Sequence, residues 1–521
     1  MKNITLLKAK VGILAVSCLS ITALFACVDK DARSDLNPNL PTDQAQNGDF
    51  GDQGGGSEQG LNFPVFDDGV LAFPGAEGYG KNVTGARAGE GREIYHVTNL
   101  NDAGPGSFRD AVSKPWRIIV FDVSGVIKLS SNPIVLKSNQ TILGHTAPGD
   151  GIVLYNGRVS ASGAQNLIVR YLRIRMGAAY PSELDACGIA NGANMIFDHC
   201  SMTWGKDECF SINPDGKGTA PKNITIQNSI IGQGLQNHSC GGLMQTDISN
   251  GCTIFRNLYI DNKTRNPKVK GLNQFVNNVV YNWGSGAAYN MSGDSQGKSE
   301  TTIENNYFIV GPCHNWQNVA QPDGSIKTEY VPMNPARPFR GGNGNFNTYC
   351  KGNYYDNNKD GALDGVEITE TNWSQYCSGS PVFLEARSDL HPIIRSQKSA
   401  QEAYEWVVEK VGAYLPVRDE VDKYLMDELI SLGRKGTIIQ DERKAEQFPL
   451  GGPGTINAAQ KPLDSDNDGM PDAFEDAWGL DKYDSTDAVK EAKNGYLNIE
   501  NYALSLEYPD EYEYELNKNK Q

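Results

Sequence analysis

The chain has 521 residues and carries 63 acidic against 47 basic side chains, a formal net charge of −16. That balance excludes a general binder of nucleic acid or anionic membrane; any polyanion must meet a local cationic groove or a bridging metal. The 56 glycines, with many Asn, Thr and Ser, fit a turn-rich β protein.

Lys2, Lys8 and Lys10 precede an apolar run from Val11 to Phe25 that is too short for a convincing membrane span. Its end, Leu24-Phe25-Ala26-Cys27, resembles a bacterial lipobox. Residues 1–26 therefore read as an export leader, with Cys27 as the lipidated first residue of an outer-membrane, cell-surface protein. The acidic Asp29-Lys30-Asp31 that follows is similar to the surface-export signals of Bacteroidetes lipoproteins. Residues 27–70, centred on Gln53-Gly-Gly-Gly-Ser-Glu-Gln-Gly60, have the composition of a flexible tether.

Short strands such as Arg117–Asp122 then lead into six similar stretches, beginning at Asn166, Asn194, Asn223, Cys252, Asn273 and Thr301. Aligning Tyr171, His199, Asn228, Asn257, Asn278 and Asn306 gives steps of 28, 29, 29, 21 and 28 residues. A period in this range with β-branched alternation predicts stacked rungs. The expected fold class is all-β, a right-handed parallel β-helix over residues 71–395. The aligned column ends in four asparagines, which suits a ladder of side-chain amides that satisfies a buried turn. His199 shares that column, so its role reads as structural. Asp198 falls beside Arg170 and Arg256, which favours a ladder ion pair over catalysis. Eight cysteines follow Cys27; their pairing is open, and Cys200 reads as a buried thiol beside Leu172 and Ser229.

Ala403, Val407, Val408 and Val411, then Val421, Tyr424, Leu425, Leu429 and Leu432, recur at helical spacing. Residues 396–455 are thus expected to form helices laid across the solenoid. Residues 456–521 form a small EF-hand-like module. In it Asp464, Asp466, Asp468, Asp472 and Glu475 occupy loop positions 1, 3, 5, 9 and 12, with Gly469 at 6. The Met470 carbonyl at position 7 completes a calcium (Ca2+) set of structural character.

Catalytic chemistry is expected on the rungs. Thr264-Arg265-Asn266-Pro267-Lys268-Val269-Lys270 sets three cations within six residues, just after Lys263, on a loop that a rigid scaffold presents. The segment resembles the Arg-x-Pro-x-x-Arg/Lys signature of pectate lyases, polysaccharide lyase family 1. Asp185-Ala186, thirteen residues before Asp198-His199, agrees with that family. So do Phe73-Pro-Gly-Ala-Glu-Gly-Tyr-Gly80, Asn101–Arg109 and Gly412–Asp419. The resemblance covers about residues 71–435.

The resemblance implies calcium-dependent β-elimination of polygalacturonate; the expected enzyme is a monomer and, by its charge, binds no nucleic acid. It makes Arg265 the base at C5, although an unperturbed arginine is always protonated; a charged Arg265 that stabilises the intermediate is the alternative. Lys270 takes the place of the cation that pairs with a sugar carboxylate, with Lys268 beside it. Asp185 and Asp207 match the catalytic calcium ligands. Ser211 stands where the family often has a carboxylate, and Glu208 is the candidate substitute. The family's lysine before Gly-Leu is missing from Asn237–Leu243, and His238 is the candidate to bind substrate there. A pectin lyase or a polygalacturonase on the same scaffold remains an alternative, as does a non-catalytic glycan-binding surface protein. Asp185 and Asp207 weigh against the first, and a hydrolase leaves Arg265 unexplained.

Overall fold

The computed structural model describes residues 69–518, apart from 131, 285–286, 292–297 and 336. The leader, Cys27 and the tether as far as residue 68 lie outside the described residues. Within them each rung contributes three short strands, as Gln165–Arg170, Arg173–Arg175 and Cys187–Ile189 do. The next strand, Ala193–Asp198, returns to stack in parallel on the first, with Phe197 opposite Val169. Repetition builds a first sheet of eleven strands, a second of ten and a third of eight. This is a parallel β-helix. A hairpin of His314–Ala320 and Ile326–Pro332 interrupts the late rungs.

Alternation decides which side chains fill it. Leu167, Val169, Met195, Phe197, Ile224, Ile226 and Ile254 point inward in one continuous core, stacked rung on rung. In the six rungs from Gln165 to Ile309 the turn from first to second sheet takes two residues, the first of them left-handed, with φ of 50–58° at Tyr171, His199, Asn228, Arg256, Asn277 and Asn305. Asparagine tolerates that conformation better than most residues. The second residue points inward, and there an amide ladder forms. Asn257 donates to Asn278 at 3.0 Å, Asn278 to Asn306 at 3.1 Å and Asn306 to Asn353 at 2.8 Å.

The ladder differs from the expected column by one residue. Ser229, not Asn228, precedes Asn257, and its N–H donates to the Asn257 Oδ1 at 2.9 Å. Asn228 sits one place earlier, in the turn column, and donates to Asp198 at 2.7 Å. Arg256 likewise leaves the Asp198 column: Asp198 pairs in register with Arg170 and Gln227, while Arg256 donates its Nε to Asn228. The expected ion pair of Arg170 with Asp198 is present at 2.8 Å.

Two outer faces are covered. Helices Ala400–Lys410 and Glu420–Ile430 lay Val407, Val411, Leu425 and Leu429 on Ile230, Leu258, Val279 and Ile309 of the second sheet. Residues 456–518 do not stand apart as an independent module. Met470, Phe474, Trp478, Ile499 and Leu504 share one core with Ile118, Val120, Ile168 and Ile196 of the first sheet. The third sheet instead turns Ser211, Gln245, Lys268, Lys270 and Asn290 outward, opposite the inward Phe210, Met244, Val269 and Tyr289. The polar face is thereby the one on which a substrate can lie. The eight cysteines from Cys187 to Cys377 are all free and buried.

Candidate functional site

Every candidate catalytic side chain sits on the turn that enters the third sheet. Asp185 precedes Cys187–Ile189, Asp207 and Glu208 precede Phe210–Ile212, His238 precedes Leu243–Gln245, and Arg265 precedes Lys268–Lys270. Rung stacking therefore gathers residues 80 positions apart in the chain. Their backbones interlock: Ala186 N–H donates to the Glu208 carbonyl at 2.9 Å, and Gly242 N–H to the Arg265 carbonyl at 2.7 Å. Lys263 holds the His238 loop by donating to the Asn237 carbonyl at 2.6 Å and to Gln236 Oε1 at 3.1 Å.

Oxygens of Asp185, Asp207 and Glu208 lie within 4.8 Å of one another. Arg265 closes one side through a contact of its Nη1 with Glu208 Oε1. His238 closes another, with Nε2 2.9 Å from Asp207 Oδ1. Glu208 is nearly buried, at 2% exposure. Burial, a hydrogen bond with Asp185 and the charge of Asp185 push its carboxyl up to about 9, against the opposing pull of Arg265. Asp185 is also raised, by burial first. Asp207 is lowered by its hydrogen bond to His238, and the same bond pushes the imidazole up to about 10. Three carboxylates this close cannot all ionise without a cation among them. An all-oxygen set of this kind fits calcium.

Arg265 itself is held charged. Burial alone would lower its pKa, but the surrounding groups, Glu208 among them, raise it overall. Lys268 and Lys270 extend outward on the strand after it. Lys268 pairs in register with Asn290, and Asn290 with Arg340, so one outward column carries cations on two rungs. Arg337 is instead committed to the carbonyls of Ser374 and Cys377. Ser211 accepts from the Leu243 N–H at 3.1 Å and is 2% exposed, so it faces the next rung's backbone.

Two residues of this region went unassigned in the sequence. Arg158 opens the rung below Asp185: a Cβ at Gly188 would lie 3.2 Å from Asp185 Oδ2 and 3.4 Å from Arg158 Nη2. Its place 27 residues before Asp185, one rung period, was the available signal. Cys240 bridges Glu208 and Thr264 through its backbone.

The C-terminal acidic loop forms a second oxygen cluster. Asp464, Asp466 and Asp468 converge, and Asp468 also converges with Glu475 and Asp487. Both carboxylate oxygens of Asp466 and of Glu475 are buried with no hydrogen-bond partner among the described residues. Burial and mutual repulsion push Asp468 up to about 7 and Glu475 up to about 8. Such donors fit calcium. Asp472, expected at loop position 9, instead accepts from the N–H and hydroxyl of Ser465, each at 2.8 Å. Asp487, fifteen residues further on, joins Asp468 and Glu475. The Met470 side chain is buried in the core shared with the first sheet.

A third acidic group, Asp198 with His199 and Glu507, is already neutralised. Arg170 pairs with Glu507 at 2.7 Å and with Asp198 at 2.8 Å, and burial pushes His199 down to about 4.

The sequence model of the pectate lyase family matches residues 74–355. "Probable pectate lyase C" of Aspergillus fumigatus is 48% identical over 437 residues, 84% of this chain and 94% of that protein. Its counterpart in Aspergillus flavus is 46% identical over 448 residues, 86% of this chain and 96% of that protein. Among solved structures, the thermostable pectate lyase PL 47 is 14% identical, covering 65% of this chain and 97% of its own, at a TM-score of 0.43. By the extent of the family match and the identity to these relatives, the chain belongs to the pectate lyase family.

Proposed function

We propose that this protein is a calcium-dependent pectate lyase that cleaves de-esterified homogalacturonan to unsaturated oligogalacturonides. The observation that carries the reading is the meeting of Arg265 with Glu208 beside Asp185 and Asp207, on the turns that enter the third sheet.

The C5–H of a galacturonate unit is too weak an acid to lose its proton unaided at neutral pH. A calcium ion held by Asp185, Asp207 and Glu208 would supply Lewis acidity to the adjacent sugar carboxylate. The chain's own residues do the rest. Lys270 and Lys268 meet sugar carboxylates as point charges from one strand and set the register of the chain. Arg265 lies at the reacting unit. As the C5–H bond breaks, its electron pair forms the C4–C5 double bond; the C4–O4 bond breaks, and the leaving oxygen takes a proton from solvent. Once Glu208 is drawn away from it, the guanidinium gives one proton to solvent, and the neutral Arg265 then takes the C5 proton. While the two remain paired, the guanidinium is a fixed cation facing the developing negative charge. His238, held by Asp207, offers a further N–H donor at the edge of the same cleft.

The same reading makes the enzyme an exported lipoprotein anchored through Cys27, supported by the basic and apolar leader before it. Residues 464–487 are assigned a structural calcium ion, for which the unpartnered oxygens of Asp466 and Glu475 are the support.

The test is incubation with polygalacturonate, with and without chelator, followed by ultraviolet absorbance of the unsaturated ends. Calcium-dependent absorbance is expected. Reducing ends without absorbance would establish a hydrolase, and binding without cleavage a lectin-like surface protein.

A further inference from the structure

The turns entering the third sheet carry one group that β-elimination leaves unused. Cys240 is buried, at 1% exposure. Its backbone bridges Glu208 on one rung and Thr264 on the next, so three rungs are in register at this point. His238 stands two residues before it with its ring 44% exposed. A carboxylate oxygen of Glu208, a ring nitrogen of His238 and the sulfur of Cys240 lie within 4.8 Å of one another. Asp207 Oδ1, 2.9 Å from His238 Nε2, stands at the rim as a fourth donor. Among the described residues no other cysteine belongs to such a group of three donors.

The two donor sets in this cleft differ in chemistry. Asp185, Asp207 and Glu208 offer only hard oxygens, as calcium prefers. Sulfur, imidazole nitrogen and carboxylate together select a softer ion that accepts four ligands in a tetrahedron. Glu208 belongs to both sets and is also the partner of Arg265.

We propose that Glu208, His238 and Cys240, with Asp207 at the rim, form a site for a thiophilic divalent ion of the zinc class, whose occupation inhibits the enzyme by taking Glu208 from the calcium-binding set of Asp185, Asp207 and Glu208. The Cys240 S–H bond breaks as the sulfur–metal bond forms, and the proton passes to solvent. His238 exchanges its hydrogen bond to Asp207 for the metal. The ion enters past His238, on the exposed side. The rung backbone holds all three donors on adjacent stacked turns, so little ordering is needed on binding. The inhibitory half of the proposal rests on the lyase reading; the binding half does not.

Cobalt(II) is the probe, because a thiolate ligand gives it a charge-transfer absorption that carboxylate sites cannot. The purified full chain is titrated with cobalt chloride at several calcium concentrations. A thiolate band that saturates at one equivalent is expected, with a midpoint that rises with calcium and with bleaching on addition of zinc. Cys240→Ser abolishes the band, and His238→Gln weakens cobalt binding by about tenfold or more. Absence of a thiolate band, or a band unchanged in both variants, overturns the proposal. Should Cys240→Ser fail to fold by circular dichroism, His238→Gln, at a half-exposed position, decides the matter alone. Zinc inhibition of polygalacturonate cleavage is then measured at fixed calcium. Cleavage that persists with the zinc site filled overturns the inhibitory half. Absence of cleavage under every condition defeats the lyase reading and leaves the cobalt result standing.

Discussion

Asp261, just past the second-sheet strand Leu258–Ile260, interacts with Glu428 of the helix laid across that sheet; both side chains are buried, and one carboxyl oxygen of each has no hydrogen-bond partner among the described residues. Two such carboxyl groups can share a hydrogen bond only when one keeps its proton. Burial and the neighbouring Asp261 push Glu428 well above the usual carboxylate range. Burial pushes Asp261 up to about 6.

A group whose pKa is raised by folding contributes stability at low pH and loses it as the pH climbs through the folded value. The helix Glu420–Ile430 is therefore held most firmly below the ordinary carboxylate range, and its hold weakens as the pH rises through about 6 and beyond. Glu428→Gln keeps the hydrogen bond without the titration. The variant is expected to show a flatter dependence of thermal midpoint on pH between mildly acidic and alkaline buffer than the wild type. Parallel curves would refute the shared proton.

The amide ladder predicts a cost concentrated at its centre. Asn278 both accepts from Asn257 and donates to Asn306. Asn278→Ala leaves polar groups on both neighbouring rungs without partners in a buried turn, a loss of about 2–4 kcal/mol. Asn223 also sits in an amide pair, donating to Asn194 at 2.9 Å, but on the exposed side, where water replaces the lost partner. Denaturant unfolding of Asn278→Ala and Asn223→Ala should separate the two by most of that amount.

At the catalytic turn, Arg265→Ala is expected to lower kcat by about a hundredfold to a thousandfold or more. Arg265→Lys keeps the charge but not the planar fork and should recover little of it. Initial rates on polygalacturonate, with circular dichroism to show an intact fold, check this; wild-type rates in either variant would remove Arg265 from the chemistry.

The two oxygen clusters predict two separable calcium effects. Asp185→Ala should abolish cleavage at moderate calcium and leave most of the calcium-dependent gain in thermal stability. Asp464→Ala should do the converse, because its loop secures the cover over the first sheet. A structural ion present at about a thousand times its Kd stabilises by about 4 kcal/mol. Thermal unfolding with and without chelator, set beside rates at saturating calcium, distinguishes them; loss of both properties in both variants would mean one coupled site.

Much of the fold was legible in the chain because rungs repeat local chemistry. Alternating inward residues and a left-handed turn residue followed by an inward one recur from rung to rung, and from Ser229 onward that inward residue is polar. The same chemistry misled at one point. Asn228-Ser229, Arg256-Asn257, Asn277-Asn278 and Asn305-Asn306 occupy the two turn positions. Asparagine suits the first by tolerating positive φ and the second by bridging rungs, so an asparagine alone does not say which it fills. Backbone pairing between rungs settles it, with Ser201 opposite Ile230 and Ile230 opposite Leu258.

The sequence by itself determined the solenoid, the helices across it, the basic segment at Arg265 and the acidic loop from Asp464 to Glu475, because each is written in spacing that neighbouring residues enforce. Only the tertiary structure brought Arg158 and Cys240 to the site, set Asp487 beside Asp468 and Glu475 and packed the acidic module's core against the first sheet. Those outcomes depend on which turns stack and which apolar faces meet, and contacts between distant segments leave no period in the chain.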